Sequence, residues 1–214
     1  MTKETEKTVN EYLTTTKTPF TVLFPNVLKP KDTAKGPKYT LTMCFDDSEE
    51  SKAEIKRLKA LVVKFAKEEI PAKELNEKRA KGLFIMPFKE GNEKDTEKYP
   101  IYENAVLVEC KTKFPPGLVN KKLEPIIDES EFYAGCKAVA QIKPYVWRYQ
   151  KKTGIGLNML HVMKVADGKK LGGQAPNPAD IFSDFADFSA EDFGDDNFDS
   201  GGFDEAPADD FDEF

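Results

Sequence analysis

The residues with the most chemistry to offer lie together, in Lys143-Pro144-Tyr145-Val146-Trp147-Arg148-Tyr149-Gln150-Lys151-Lys152. On an extended backbone successive side chains alternate, so Tyr145, Trp147 and Tyr149 share one face, with Lys143, Arg148, Lys151 and Lys152 around them. Rings interleaved with cations suit an unpaired nucleic-acid strand. Its bases need flat surfaces to stack on, and its phosphates need positive charge. Each stacked base is worth about 1–3 kcal/mol, so two or three rings give useful affinity. The same rings would also fill a core, because aromatics bury large areas. Two further segments repeat the pattern. Lys111 and Lys113 alternate along a stretch ending in Phe114, and Lys35 and Lys38 close a loop, begun by Lys29 and Lys31, that leads into Tyr39. Any one of these lysines alone reads as a solvated surface charge. The set is more informative than its members.

Signals for catalysis are poor. The sequence has no phosphate-binding glycine loop, no G-x-S-x-G and no H-E-x-x-H. Asp46-Asp47 and Glu49-Glu50 could serve a metal-dependent nuclease. They directly precede a predicted helix, however, where acids complement the positive end of the dipole, and no second carboxylate cluster converges with them. Cys44, Cys110, Cys136 and His161 match the ligand types of a structural zinc site. None forms a C-x-x-C pair and each sits in an apolar, strand-like segment, so core or strand positions are expected instead. No catalytic residue, metal or cofactor is therefore assigned. Without an export signal or a long apolar run, the expectation is a reduced cytoplasmic compartment and no membrane.

The elements that must position these residues can be read from periodicity. Residues 1–17 are expected to form a flexible arm, 18–170 one domain, and 171–214 a tail. Strands are predicted over Pro19–Leu28, with Pro25 marking an edge or bulge, over Tyr39–Phe45, and over Ala105–Phe114. A longer one over Phe132–Tyr149 is expected to break or bend at Pro144, and the last covers Gly156–Val165 after a turn at Lys151–Gly154. Ile55, Leu58, Val62 and Phe65 recur at helical spacing, which predicts a helix from Ser48 to about Glu69, with Ser51 and Glu54 as a capping box. Pro71 ends it, and Lys73–Lys81 can continue as a second short helix. Five principal strands with one substantial helix predict a mainly β protein with an oligonucleotide-binding (OB) fold, a five-stranded, partly closed barrel. Other α+β sheets fit the same periodicity.

Charge divides the chain. None of its 32 Lys and Arg lies beyond position 170, whereas 14 of its 38 Asp and Glu do, so residues 1–170 carry about +8 and the remainder about −14. Such asymmetry points to a nucleic-acid-facing body with an acidic interaction tail. From Leu171 the sequence holds eight Phe and ends in Phe211-Asp212-Glu213-Phe214. A solvated spacer would not need those rings; aromatics in polar segments commonly mark binding on contact with a partner. The 42 residues from Gly173, as a flexible chain, span roughly 35 Å, against a radius of about 15 Å for the body. The tail can therefore reach a basic groove on its own body, its carboxylates imitating phosphates and its rings imitating bases. An acidic-tailed adaptor or chaperone for basic proteins is the alternative reading, and a metal-dependent nuclease a lesser one.

The stretch GCKAVAQIKPYVWRYQKKTGIGLNMLHVMKVADGKKLGG, residues 135–173, resembles the closing strands of phage single-stranded-DNA-binding proteins, and the acidic, Phe-terminated tail is similar to theirs. The resemblance implies an OB barrel that binds single-stranded DNA without catalysis or sequence preference, in replication, recombination and repair, within the cytoplasm of an infected bacterial host. It places Tyr145, Trp147, Arg148, Lys111 and Lys113 on barrel strands. It implies that Phe211, Asp212, Glu213 and Phe214 recruit replication and recombination proteins while the tail competes with DNA, and it leaves room for a homodimer.

Overall fold

The computed structural model describes residues 11–33 and 36–171. The alternating sequences lay down the frame. In β3 (Lys38–Phe45) Leu41, Met43 and Phe45 turn into the core. Around it stand β2 (Phe20–Lys31), β6 (Val106–Thr112), β8 (Lys137–Tyr149) and β9 (Lys152–Ala166). β8 pairs with β2, β2 with β3 and β3 with β6, all antiparallel. β6 then meets β9 in parallel at the single pair Cys110–Leu157, and β9 returns to β8 along its whole length. The five long strands thus form a partly closed ring, in the five segments where alternation predicts strands. Four short strands decorate it: β1 (Thr14–Thr15), β4 (Phe84–Ile85), β5 (Phe88–Glu90) and β7 (Gly117–Val119). These come from segments too short for a periodic signal. They pair only because β8, β9 and β6 present free edges to them.

Two helices, α1 (Glu49–Glu69) and α2 (Ala72–Ala80), connect β3 to β4. Ile55, Leu58, Val62, Phe65 and Ala66 of α1 cover the ring's core, joining Phe20, Val22, Ile142, Ile155 and Leu157. Apart from Ala66, each such side chain contributes about 1.5–3 kcal/mol by leaving water. A smaller cluster, Leu23, Cys44, Ala105 and Leu107, lies apart from this core.

Three local expectations are corrected. The helix cap is Ser48, whose hydroxyl accepts the Ser51 N–H at 3.3 Å, while both serine hydroxyls donate to Asp46 Oδ1. The Ser51–Glu54 box does not form because Glu54 is drawn inward. Its carboxylate, 3 % exposed, accepts the Lys17 N–H at 2.9 Å and two hydrogen bonds from Arg57 at 2.7 and 2.8 Å. Burial pushes its pKa up, but the bonds from Arg57 and Lys17 outweigh burial and hold it below the usual range. Arg57 also donates to Thr14 Oγ1 and the Thr15 carbonyl. With Tyr12 buried edge-on against Phe65 and bonded to Glu68, residues 11–17 belong to the fold and are not a loose arm. Finally, β8 runs unbroken through Pro144. Beyond Ile142 its described partner is β9 alone, so proline's missing N–H costs the sheet nothing on the open side. Pro25 does mark a bulge: the β2–β3 register shifts between Leu23 and Asn26, and Phe24 takes φ 49°.

Candidate nucleic-acid interface

Odd-numbered residues of β8 point away from the core, so Lys143, Tyr145, Trp147 and Tyr149 share the outer face, as the alternation predicts. Their cross-strand partners on β9 are Asn158 opposite Lys143, Gly156 opposite Tyr145 and Gly154 opposite Trp147. The two glycines are required. A Cβ on Gly156 would sit 2.4 Å from Tyr145 Cζ, and one on Gly154 would sit 2.5 Å from Trp147 Cζ2 and 2.7 Å from the Ile85 carbonyl oxygen. Each ring therefore lies over the bare backbone of the neighbouring strand and stays half-buried. Burial pushes the Tyr145 phenol pKa up.

Two cavities meet at these rings. The larger, about 580 Å³, is lined by Lys38, Lys111, Thr112, Lys113, Phe114, Pro115, Lys143, Tyr145, Asn158, Met159, Leu160 and His161. The second, about 360 Å³, continues past Met86, Pro87, Lys89 and Glu109 to Trp147, Arg148 and Tyr149. Lys38, Lys111 and Tyr145 line both, so the two form one groove across β3, β6, β8 and β9. Each is in the size range of small-ligand sites, about 300–1,000 Å³. Phe114 stands 77 % exposed at one end.

The groove gathers Lys38, Lys111, Lys113, Phe114, Lys143, Tyr145, Trp147, Arg148 and Tyr149 from three separate sequence segments. Tyr39 is not among them. It packs against the main core beside β6, paired with Thr112. Lys35 and the four tail residues Phe211, Asp212, Glu213 and Phe214 lie outside the described residues. The cations differ in availability. Arg148 is held by Glu74 of α2 through Nε–Oε1 at 3.0 Å and Nη2–Oε2 at 3.1 Å, and Glu74 also accepts from Thr153. Lys111 pairs with Glu109 at 2.9 Å, an exposed contact of small worth. Lys38, Lys89, Lys113 and Lys143 have no carboxylate partner among the described residues. Reading the sequence missed Lys89, Asn158 and His161. Lys89 follows an irregular apolar run, and the other two join the face only through the β8–β9 register.

The three cysteines are buried and unpaired, and burial pushes each thiol pKa up. His161 is exposed in the groove, away from them. Asp46 accepts the hydroxyls of Ser48, the cap of α1, and of Ser51, as described. No described helix is long and apolar enough to cross a membrane.

Solved structures of similar fold are single-stranded DNA-binding proteins of phages. That of bacteriophage Enc34 in complex with ssDNA shares 19 % identity over 72 % of this chain and 86 % of its own, with a TM-score of 0.57. A C-terminal truncation of the same protein gives 21 % identity, 72 % and 85 % coverage and a TM-score of 0.58. The single-stranded DNA-binding protein gp2.5 of bacteriophage T7 gives 17 %, 80 % and 93 %, and 0.51. No curated protein matches by sequence. The family described as Enterobacter phage Enc34, ssDNA-binding protein, matches residues 14–195, and the chain belongs to it.

Proposed function

We propose that the chain binds single-stranded DNA non-catalytically and without sequence preference, through the groove on the outer face of β8 and β9, in an OB-type barrel. The observation that carries this reading is the placement of Tyr145 and Trp147 over glycines on the outer face, within a groove edged by Lys38, Lys89, Lys111, Lys113 and Lys143. Rings held on a strand serve as stacking surfaces, and lysines at the rim follow the phosphates. Arg148, engaged by Glu74, supports the end of the sheet and becomes a phosphate contact only by exchanging that carboxylate. Phage DNA replication, recombination and repair, in the cytoplasm of the infected cell, is the setting the family suggests. Within it the acidic tail competes for the groove, and Phe211–Phe214 recruit replication proteins. The charge contrast between tail and body supports this part.

The test is titration of oligo-dT, duplex DNA and single-stranded RNA against the full chain and Trp147→Ala. The expected result is preference for the single strand and a loss of about tenfold in the variant, with unchanged circular dichroism. Full affinity in a folded Trp147→Ala would show that this ring is no platform. A chain that retains no oligo-dT, with or without its tail, would favour the adaptor reading.

A further inference from the structure

The outer face carries a third ring set up in the same way. β9 contains an extra residue, Leu160, where Met159 faces Ile142 and His161 faces Gln141. A regular continuation from the buried Met159 would bring Leu160 outward and turn His161 toward the core. The bulge re-aims His161 to the outer face, and it is exposed there. The residue beside it on β7 is Gly117, where a Cβ would meet His161 Nδ1 at 2.4 Å. The imidazole therefore lies over a glycine, as Trp147 lies over Gly154 and Tyr145 over Gly156. Among the described residues it makes no hydrogen bond that would explain its position. It lines the same cavity as Lys113, Phe114 and Lys143.

The geometry points to His161 as the third base-stacking platform, which fixes the far end of the path followed by a single strand. Along the strands, at about 3.3 Å per residue, Trp147 and Tyr145 are about 7 Å apart, and His161 lies about 15 Å beyond the Tyr145–Gly156 pair. The strand runs from Trp147 past Tyr145 and Lys143 to His161, so the length of DNA bound is set by the bulge and by Gly117. This inference rests on the groove being the DNA site.

The experiment is titration of the full chain with oligo-dT lengths across the roughly 4–16 nucleotides that such folds occupy. The variants are His161→Ala, His161→Phe, His161→Lys and, as control, Trp147→Ala, each checked for folding by thermal melting. His161→Ala is expected to lose about fivefold or more on the longer oligomers and little on the shortest. His161→Phe restores the affinity and His161→Lys does not. Wild-type affinity of His161→Ala at every length, with Trp147→Ala weakened, overturns the platform. Restoration by Lys and not by Phe overturns it too, because it makes the residue a phosphate contact. Wild-type affinity of both Trp147→Ala and a charge-removing Lys111→Ala/Lys143→Ala variant instead removes the groove reading itself, and this inference with it.

Discussion

A ring on a strand is useful to a ligand only if something holds it down. Here glycine on the adjacent strand takes that part, and the cost of restoring a side chain can be foreseen. In Gly154→Ala the new methyl has Trp147 on one side and the Ile85 carbonyl on the other, and a backbone atom cannot yield as a flexible side chain does. Destabilisation of about 1–3 kcal/mol is expected from such overpacking, together with a shifted Trp147 fluorescence maximum. Thermal melting and emission spectra check both. An unshifted spectrum would mean that the ring does not rest where it is placed. None of this was legible beforehand. In the sequence Gly154 reads as part of a turn and Gly156 as the start of a strand, and only the cross-strand register reveals which ring each faces. The aromatic–basic pattern from Lys143 to Lys152 was legible, because alternation alone puts Tyr145 and Trp147 on one face. The capture of Arg148 by Glu74 was not, since 74 residues separate the two.

Among the elements, α1 is tied down at both of its functions, as a cover for the core and as an anchor for the N-terminal segment. Leu58→Ala should cost about 2–5 kcal/mol, measured by denaturant unfolding. The Glu54–Arg57 knot gives an acid-sensitive contribution. The folded-state pKa values of Glu54 and Asp46 lie below their usual ones, so both contribute stability that is present above about pH 4 and is lost as pH falls through the depressed values. Glu54→Gln should lower stability at neutral pH by about 1–3 kcal/mol, and its deficit relative to wild type should shrink in acid. Melting curves from pH 7 to pH 3 show this, and a deficit constant across that range would argue against it. The alternating runs Tyr39–Phe45 and Ala105–Phe114 announced their strands because one face is buried and the other is not. The sequence spacing favours Ser51 for the capping box, whereas the cap is Ser48, about one turn earlier. Ser48 and Ser51 are equivalent in type, and only the inward pull on Glu54 distinguishes them. Pro144 reads as a break or bend because the sequence cannot say which strand edge lacks a neighbour.

The whole molecule is a basic body joined to an acidic sequence, and two solution measurements follow. If Lys38, Lys89, Lys111, Lys113 and Lys143 each meet one phosphate, log affinity for single strands should fall with log salt at a slope of about −3.5, and each Lys→Ala should reduce that slope by about 0.7. A slope near zero would remove the phosphate contacts. Deleting residues 172–214 should tighten binding at fixed low salt, because about −14 of competing charge is lost. Unchanged or weaker binding by the truncated chain would exclude competition by the tail.

The ring is joined between β6 and β9 at one residue pair, and one half of that pair is Cys110, wholly buried, with its thiol pKa raised by burial. A thiol in that state is inert until the strands part. The rate at which Cys110 takes up an alkylating reagent is thus an internal clock for the breathing of the seam. A bound strand crossing from Lys111 to Tyr145 should slow that clock, giving a readout of occupancy that needs no label on the DNA.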